Sequence, residues 1–410
     1  MTTVALIGLG NRGFDAYGRL ISEMPHLGRV THAVDALPGR LERARRLFGL
    51  GEDALFAHWD AFFALGRVAD AVVIATPDDQ HLEPTLKALE LGYHVLLEKP
   101  ITLREADLEV LLAAERRSVG RVTVCHVLRY TPFFSKLKAM VEAGAVGQLV
   151  GIQHTENIAH WHFAHSYVRG NWRSTRFAAP MLLAKACHDL DILRWLVDSP
   201  PRRVSSQGSL HHFRPENRPV GATDRCLDGC AVEASCPYSA PRLYLTGDLA
   251  AWPTRVVCDT PERAAVLEAL RSGPYGRCVY ACDNDVADHQ NVLVEFESGV
   301  QVALTVSAFT QHNTRTLQIF GTHGELRGDL ERGEIEWHDF RTQEHHRISV
   351  PTPRGRGHAG GDERLVRAWL ESLADHAELR TTLAASIDSH RMAFEAERAR
   401  LGTALQGESV

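Results

Sequence analysis

The stretch Val4-Ala5-Leu6-Ile7-Gly8-Leu9-Gly10-Asn11-Arg12-Gly13 decides the fold of the first third of this chain. A short apolar run leads into three glycines spaced G-x-G-x-x-G, and a helical pattern of apolar residues follows. The order is therefore strand, tight turn and helix. Such a turn needs tolerance of positive φ at Gly8, no side chain where a phosphate comes closest at Gly10, and close helix–strand contact at Gly13.

The turn predicts a dinucleotide-binding site, because the N-terminus of the following helix offers N–H groups and partial positive charge to phosphates. A second strand, over residues 30–34, ends at Asp35, whose carboxylate can accept hydrogen bonds from an adenosine ribose. That carboxylate repels a 2′-phosphate, so we expect NAD in preference to NADP, although Arg40 lies close along the chain. The cofactor-binding residues predicted here are Gly8, Gly10, Asn11, Arg12, Gly13, Asp35 and Arg40.

Two further strands end in polar segments. Residues 71–75 run into the loop at 76–81, and residues 94–97 run into Glu98-Lys99-Pro100. Ligands of open α/β sheets bind beyond the carboxyl ends of the strands. We therefore expect both segments beside the cofactor, with Lys99 at the nicotinamide end. The cofactor-binding residues predicted from these segments are Thr76, Pro77, Asp78, His81, Glu98 and Lys99.

Three ordered motifs resemble the Gfo/Idh/MocA family: GLGNRG at 8–13, TPDDQH at 76–81 and EKP at 98–100. Together they cover about the first 130 residues. The resemblance implies an oxidoreductase in which the motif lysine, here Lys99, lies next to the nicotinamide and the substrate hydroxyl. A surface lysine that simply follows a strand is the alternative.

The pattern changes in the second half of the chain. Residues 149–154, 292–297 and 300–306 alternate apolar and polar side chains, with Ser298-Gly299 as a turn between the last two. This alternation predicts an antiparallel sheet with one solvated or ligand-facing side. The segment 316–324 resembles a late strand and turn of the same family. The resemblance implies that a face of this sheet makes homodimer or homotetramer contacts.

We therefore predict an α/β chain of two domains, which 410 residues are long enough to build. An N-terminal Rossmann domain with a doubly wound parallel sheet is expected over residues 1–125. A C-terminal α+β domain with a large, mostly antiparallel open sheet is expected over 126–356, with a cysteine-rich insertion at about 205–285. Helices over 357–405 are expected to pack back near the cleft, as the resemblance implies.

One helix, predicted over residues 182–197, carries polar residues every third position: Lys185, His188 and Asp191. From spacing alone, a buried His188 that is satisfied by Asp191 is as good an interpretation as a functional one. The resemblance implies that His188 contacts the reacting alcohol, which makes it a candidate proton carrier. Lys99 and His188 are the predicted catalytic residues.

The match departs from the family at Ala184, where many members carry an Asp. This departure puts an Asp-assisted proton relay in doubt. Lys185 could bind a substrate carboxylate or hydroxyl, or could hold Lys99 in its neutral form by like-charge repulsion.

The segment 160–173 is dense in aromatic, imidazole and guanidinium groups, which suit the walls and polar contacts of a sugar pocket. A metal site built from its three histidines is the alternative, and the lack of a nearby acid disfavours it. The predicted substrate-binding residues are His162, Arg169, Trp172, Arg173, Lys185 and Asp191.

Cysteines cluster in the insertion, where Cys226, Cys230 and Cys236 have the spacing C-x3-C-x5-C. In a reducing compartment, clustered thiolates favour a metal site over disulfides. We therefore predict these three as ligands of a structural zinc, with unliganded packed thiols as the alternative. Cys258, Cys278 and Cys282 follow later in the same region.

Composition excludes several classes of partner. The net charge is −6 and basic residues are interspersed with acidic ones, which disfavours nucleic acid. No long apolar run and no secretory start occur, so we expect a cytoplasmic protein without a membrane partner. Residues 406–410 are interpreted as a loose tail.

The motifs together predict an NAD-dependent oxidoreductase that transfers a hydride between nicotinamide and a secondary hydroxyl of a sugar, an inositol or a sugar derivative. Two alternatives stay open. One is a glycosidase that uses NAD for transient oxidation, and the other is a non-catalytic regulator that binds a nucleotide or a sugar.

Overall fold

The computed structural model describes residues 1–176, 178–258, 260–353, 357–375 and 379–402. The tail predicted at 406–410 lies outside the described residues. Within them the chain builds two β-sheets, each covered by helices. In the same residues no helix is long and apolar enough to cross a membrane.

The first sheet is parallel and lies in the N-terminal part of the chain. Its strands are β1 Thr2–Ile7, β2 Gly28–Val34, β3 Leu55–Phe56, β4 Ala71–Ile74, β5 His94–Leu97 and β6 Val122–Val124. They pair in the order β3-β2-β1-β4-β5-β6, which is the doubly wound Rossmann order. The central strand β4 is buried along its whole length, as expected for a strand with a helix layer on each face. The predicted parallel sheet is confirmed.

Short helices cover this sheet. They are α1 Arg19–Glu23, α2 Pro38–Phe48, α3 Trp59–Phe63, α4 Leu82–Glu90 and α5 Glu105–Arg117. The helix after the glycine turn begins with a wider π-helical segment, Asn11–Gly18, that continues directly into α1.

The second sheet is larger and almost wholly antiparallel. Its strands are β7 Leu149–Ala159, β8 Pro201–Ser209, β9 His289–Phe296, β10 Gln301–Thr310, β11 Thr314–Gly321, β12 Gly324–Asp329, β13 Glu334–Asp339 and β14 His345–Ser349. The order is β14-β13-β12-β11-β7-β10-β9-β8, and only the β10–β7 pair is parallel among these strands. Gly299 turns the β9–β10 hairpin at a φ of +82°, as its position predicts. The predicted mostly antiparallel sheet is confirmed.

The remaining helices belong to the second half of the chain. They are α6 Pro132–Glu142, α7 His160–Phe163, α8 Met181–Ala184, α9 Cys187–Val197, α10 Ala240–Tyr244, α11 Thr254–Val257, α12 Arg263–Ser272, α13 Gly361–Asp375 and α14 Leu383–Arg400. The start of α6 follows from its sequence, because Thr131 caps it by accepting from Phe134 N and Pro132 occupies the first turn.

The single helix predicted over 182–197 is wrong, because α8 ends at Ala184 and α9 begins at Cys187. The chain turns at Lys185 and Ala186, and Ala186 O accepts from Asp189 N and Leu190 N to start α9. The break leaves Ala184 O outside any helical hydrogen bond from His188.

The C-terminal helices join the two halves of the molecule. Leu365 and Trp369 of α13 pack in the apolar core on one face of the first sheet. Ile387 of α14 packs on the other face, whereas Met392, one turn later, belongs to the core of the second domain. Helix α14 thus contacts both α9 of the second domain and β6 of the first sheet. The predicted domain limits at residues 125 and 356 stay predictions.

Candidate active site

The glycine turn has the shape that its spacing predicts. Gly8 has a φ of +90°, and a Cβ there would lie 2.5 Å from Ala75 O. A Cβ on Gly13 would lie 1.9 Å from Gly8 O, so turn and helix touch at that point. A Cβ on Gly10 would meet nothing within 4 Å. The space over Gly10 is open, which fits a pyrophosphate approaching the backbone there.

Asp35 lies at the carboxyl end of β2, where its Oδ2 accepts from Leu9 N at 2.8 Å. Arg40 Nη1 lies 3.3 Å from the same oxygen. Beside them is an open cavity of about 500 Å³. Its lining comes from the start of α2 and from the insertion: Leu37, Pro38, Gly39, Arg40, Arg43, Leu249, Ala250, Arg255, Cys258 and Pro261.

This contribution of the insertion to the expected adenosine side is not predictable from sequence, because nothing local in residues 249–261 signals it. The three guanidinium groups of the cavity all face carboxylates. Asp15 Oδ1 lies 3.2 Å from Arg43 Nη2 and 3.3 Å from Arg255 Nη2, and Asp35 faces Arg40. Two carboxylates thus face three guanidinium groups, so these pairs leave one positive charge of the cavity without an opposite charge.

Arg12, predicted as a cofactor residue, bridges two carboxylates at the base of the cleft. Its Nε lies 2.6 Å from Glu98 Oε1, and its Nη1 lies 2.9 Å from Asp362 Oδ2. Burial works against ionisation of Glu98, but the charges of Arg12 and Lys99 lower the pKa of this carboxyl below its usual value. Asp362 is a residue that sequence reasoning missed, since its partner is 350 positions away.

Asp362 also connects this ion pair to the second domain. Its Oδ1 lies 3.0 Å from His358 Nδ1. His358 in turn places its ring centroid 5.5 Å from that of His188. His358 thus lies between the Arg12 ion pairs and the candidate proton carrier.

Lys99 projects from the carboxyl end of β5 and reaches the second domain. Its Nζ donates to Ala184 O at 2.6 Å, and its backbone N donates to Glu98 Oε2 at 2.8 Å. Because α8 ends at Ala184, that carbonyl is not used in a helical hydrogen bond from His188 and accepts from Lys99 instead. A backbone acceptor therefore stands where many family members have an Asp side chain, and it adds no negative charge beside the ammonium.

His188 is buried in the same region, with its ring centroid 5.8 Å from that of His126. Neither of its ring nitrogens has a hydrogen-bond partner among the residues that the structure describes. Burial first, and then the charge of Lys99, lower the pKa of His188 well below its usual value. The imidazole is therefore neutral at physiological pH, and one of its ring nitrogens has a lone pair that can accept a hydrogen bond from a substrate hydroxyl.

Asp191 does not satisfy His188. Arg129 donates to both of its carboxylate oxygens, from Nε at 2.7 Å and from Nη2 at 2.6 Å, and the ion pair is buried. The carboxylate is thus occupied in holding α9 against the segment before α6. The alternative in which Asp191 satisfies His188 is not found among the described residues, and the assignment of Asp191 to substrate binding stays a prediction.

Lys185 lies in the turn between α8 and α9, with its Nζ 3.2 Å from Glu156 Oε1 of β7. Arg315 of β11 joins the group, 2.8 Å from Glu156 and 2.7 Å from Asp189 Oδ1. Burial lowers the pKa of Lys185 and raises the pKa of Glu156. The inward positions of Glu156 and Arg315 interrupt the apolar alternation of their strands, a signal that could have marked them as site residues.

The predicted loop at 76–81 touches the second domain through Trp172. The indole Nε1 of Trp172 donates to Asp78 Oδ2 at 2.9 Å. Burial raises the pKa of Asp78, against the opposing charges of His81 and Lys99. His81 fixes the loop to the EKP segment, with its Nδ1 2.6 Å from Pro100 O. Asp78, Trp172 and Lys99 thus belong to one site.

The other predicted substrate residues have varied surroundings. His162 Nδ1 lies 2.8 Å from Asn313 Oδ1, and burial lowers the pKa of this imidazole to about 3. Arg169 is fully buried and donates from Nε to Arg277 O at 2.7 Å, and Arg173 donates to Asp283 Oδ1 at 3.0 Å. Both arginines therefore bind the insertion, and His162 also contacts it, with its ring centroid 4.9 Å from that of Trp252.

The predicted zinc ligands Cys226, Cys230 and Cys236 line one small cavity, together with Cys278. All are free thiols. Among the His, Cys, Asp and Glu side chains of the described ranges, only Glu336, His338 and His345 form a group of three whose ligand atoms all lie within 4.8 Å of one another.

Comparison with known proteins identifies the family. Residues 2–126 match the model of the oxidoreductase family with an NAD-binding Rossmann fold, and residues 134–327 match the model of the GFO/IDH/MocA C-terminal domain. The two matches follow each other in order and cover the first sheet and strands β7 to β11 of the second. The prediction from the three motifs is therefore confirmed.

Individual relatives match across most of the chain. The Bacillus subtilis protein YteT is 26% identical over 384 residues, which are 89% of this chain and 88% of YteT. The scyllo-inositol 2-dehydrogenase (NAD(+)) of the same organism is 26% identical over 291 residues, 68% of this chain and 69% of that enzyme. The structure of levoglucosan dehydrogenase in complex with NADH and levoglucosan aligns with a TM-score of 0.71 at 17% identity, covering 98% of this chain and 97% of that one. The chain belongs to the Gfo/Idh/MocA family of oxidoreductases, and its first domain is the family's NAD-binding Rossmann domain.

Proposed function

We propose that this oxidoreductase is an NAD-dependent dehydrogenase that oxidises a secondary hydroxyl of a sugar, an inositol or a sugar derivative. One observation carries the proposal. An ammonium group, Lys99 Nζ, and a buried neutral imidazole without a partner among the described residues, His188, meet beyond the carboxyl end of β5. The names of the inositol and levoglucosan dehydrogenases among the relatives support the same class of substrate.

The residues present fit NAD. The open backbone at Gly10 suits the pyrophosphate, and Asp35 suits the adenosine ribose. We favour NAD over NADP because the carboxylate of Asp35, at the carboxyl end of β2, would accept hydrogen bonds from the adenosine ribose and would repel a 2′-phosphate. When bound, NAD accepts the hydride from the carbinol carbon.

The side chains of the site handle the hydroxyl proton. The Lys99 ammonium, held by Ala184 O, has further N–H bonds that can donate to the substrate oxygen and stabilise the negative charge that grows there. The neutral His188 imidazole accepts the hydroxyl proton as the carbonyl forms. Trp172, Lys185 and His162 lie around these two residues and are proposed to contact the sugar ring and its other hydroxyls.

Lys99→Ala tests the proposal. We expect turnover on a panel of inositols and aldoses to fall by at least 10²-fold, the range of general acid–base contributions. The dissociation constant for NAD should stay within about threefold, because Gly8, Gly10 and Asp35 hold the other end of the cofactor. Lys87→Ala, which removes an exposed lysine of α4, is the matched control and should keep wild-type turnover.

The same assay separates this function from the two alternatives. Accumulating NADH supports the dehydrogenase, and a His188→Asn variant should lose turnover as Lys99→Ala does. Sugar released from glycosides without net NADH would identify a glycosidase instead. Ligand-induced stabilisation without turnover on any polyol would identify a regulator, and near-normal turnover in Lys99→Ala would contradict the assignment of the lysine.

Three further predictions from sequence stay proposals. We propose a cytoplasmic location, a compartment in which the eight free thiols of the chain would stay reduced. We propose a homo-oligomer that associates through the outer face of the second sheet. We also retain a structural zinc in the insertion, where the structure adds a fourth thiol to the predicted three.

A further inference from the structure

The insertion between Ser209 and His289 has little apolar core of its own. Its separate cluster has five buried members. They are Ala240, Tyr244, Val266, Leu270 and Tyr275. Units with so small a core usually depend on disulfides or a metal to stay folded. Phe213, Tyr238 and Val279 hold one part of the insertion in the core of the second domain, whereas the part that forms a wall of the cavity beside Asp35 packs on the small cluster.

Four thiols converge on one small cavity inside this insertion: Cys226, Cys230, Cys236 and Cys278. The backbone brings the first and last together, since Cys226 N donates to Gly276 O at 3.0 Å and Cys278 N donates to Asp224 O at 2.8 Å. The other two lie on the turns that directly follow Cys226. The cavity has a volume of about 20 Å³, which is room for one ion or one water.

Arg169 supplies a second, independent observation. It is 1% exposed and lines the same cavity, and its Nη2 lies 3.8 Å from Cys226 Sγ while donating to Tyr238 O at 2.7 Å. Its Nη1 is buried without a hydrogen-bond partner in the part of the chain that the structure describes. A buried guanidinium with an unused donor, set among thiols, is suited to sulfur atoms that carry negative charge.

We propose that Cys226, Cys230, Cys236 and Cys278 bind one Zn²⁺ as four thiolates and that Arg169 donates to the ligand sulfurs. Zinc prefers four sulfur ligands in a tetrahedral, closed structural site. Each thiol releases its proton on binding, so four thiolates and Zn²⁺ carry a net charge of −2, part of which Arg169 offsets. No three of these sulfurs now lie within 4.8 Å of one another, so binding requires rotation of the cysteine side chains toward the cavity centre.

The size of the cavity favours one ion over an iron–sulfur cluster, which has several metal and sulfide atoms. The position of the site suggests its role. The insertion that the zinc would hold together also supplies Leu249, Ala250 and Arg255 to the cavity beside Asp35. Loss of zinc should therefore weaken NAD binding, a consequence that rests on the proposed function, whereas the metal content itself does not.

The test is metal analysis of the full-length protein, purified without chelator and without NAD or substrate. We expect close to one zinc per chain. Cys226→Ser and Cys278→Ser should each lose most of the metal. Cys278→Ser is the more stringent test, because Cys278 was not among the ligands predicted from sequence. Cys282→Ser is the matched control in the same insertion and should keep the metal, since its hydroxyl can still donate to Cys278 O.

A second measurement does not depend on how well the variants fold. Wild-type protein loaded with Co²⁺ in place of zinc should show the intense absorption of thiolate-to-cobalt charge transfer and the bands of a tetrahedral ion. Metal-free protein that is fully folded and has eight titratable thiols would overturn the proposal. Iron with inorganic sulfide, or a disulfide between any two of the four cysteines, would overturn it as well.

Discussion

At the scale of single residues, Ala184 shows how a missing side chain can be replaced by the backbone. Its methyl group accepts no hydrogen bond, but its carbonyl accepts one from Lys99 at 2.6 Å because the chain leaves the helix there. The sequence correctly drew attention to position 184 and could not supply the replacement, which depends on backbone geometry. In the same way, the helical spacing could place Asp191 near His188 but could not show that Arg129, 62 residues away, takes the carboxylate.

Asp35→Ser tests the basis of cofactor choice. The substitution removes the carboxylate that repels a 2′-phosphate and releases Arg40, which lies 3.3 Å from it, to bind that phosphate. A charge-assisted hydrogen bond is worth about 1.5–3 kcal/mol, so we expect kcat/KM with NADP to rise roughly tenfold or more. The value with NAD should fall at the same time, because the ribose loses its acceptor.

Steady-state kinetics with both cofactors at fixed substrate measure this change in preference. Asp60→Ser, which removes an exposed carboxylate on α3, is the control and should leave the ratio unchanged. If Asp35→Ser lowers activity with both cofactors equally, Asp35 supports the fold of the turn through Leu9 N and does not select the cofactor.

At the scale of elements, the glycine turn was predictable because every determinant is local. Positive φ, the absence of a Cβ and helix–strand contact are properties of six consecutive residues. The break between α8 and α9 was not predictable, because the apolar stripe continues through Lys185 and Ala186 while tertiary partners, Glu156 and Lys99, lie on other elements. Periodicity reports which face is buried, and it does not report where the backbone hydrogen bonds of a helix are interrupted.

Two alanine substitutions in the turn should separate folding from binding. Gly13→Ala places a Cβ against the backbone at Gly8 O, which cannot move aside cheaply, so we expect a loss of about 1–3 kcal/mol in the free energy of unfolding. Gly10→Ala meets no protein atom within 4 Å and has an ordinary φ of −70°, so its unfolding should match wild type. Its affinity for NAD should nevertheless fall, because the new methyl group occupies the space open to the pyrophosphate.

Urea unfolding and NAD titration on both variants check this pair. Equal loss of stability in the two would mean that the open space over Gly10 is needed by the protein itself. Unchanged NAD affinity in Gly10→Ala would place the pyrophosphate elsewhere.

At the scale of the whole molecule, five histidines whose pKa is lowered make stability depend on pH. Burial lowers the pKa of His126 and His188, and it lowers the pKa of His162, His165 and His390 to about 3. In the unfolded chain each imidazole titrates near pH 6.5. Above that pH both states are neutral and the full stability is present. Below it only the unfolded chain gains protons, so stability falls by about 1.4 kcal/mol per pH unit for each imidazole.

The free energy of unfolding should therefore be nearly flat from pH 8 to 7 and should drop steeply from pH 6 to 5. His390→Gln is the matched variant, because an amide can accept from Ile101 N and donate to Ser386 O as the imidazole does. Below pH 6 the free energy of unfolding of this variant should fall less steeply with decreasing pH, by about 1.4 kcal/mol per pH unit, because one imidazole is absent. Stability that stays constant between pH 6.5 and 5 would contradict this account.

The second sheet has one face packed on helices and one open face that a second copy of the chain could cover. Leu293 of β9 is 59% exposed on the open face, and Phe320 and Ala303 lie in the same shallow depression. A large apolar residue at the centre of such a sheet is costly to leave in water and contributes strongly when it is buried at an interface.

We expect wild-type protein to be a dimer or tetramer by light scattering. Leu293→Glu should shift it toward monomer, because two unpaired carboxylates would be buried across a twofold contact. Leu65→Glu, at a leucine of the first domain that is 52% exposed, should leave the assembly intact. A wild-type monomer, or an oligomer indifferent to both substitutions, would show that this face is not the interface.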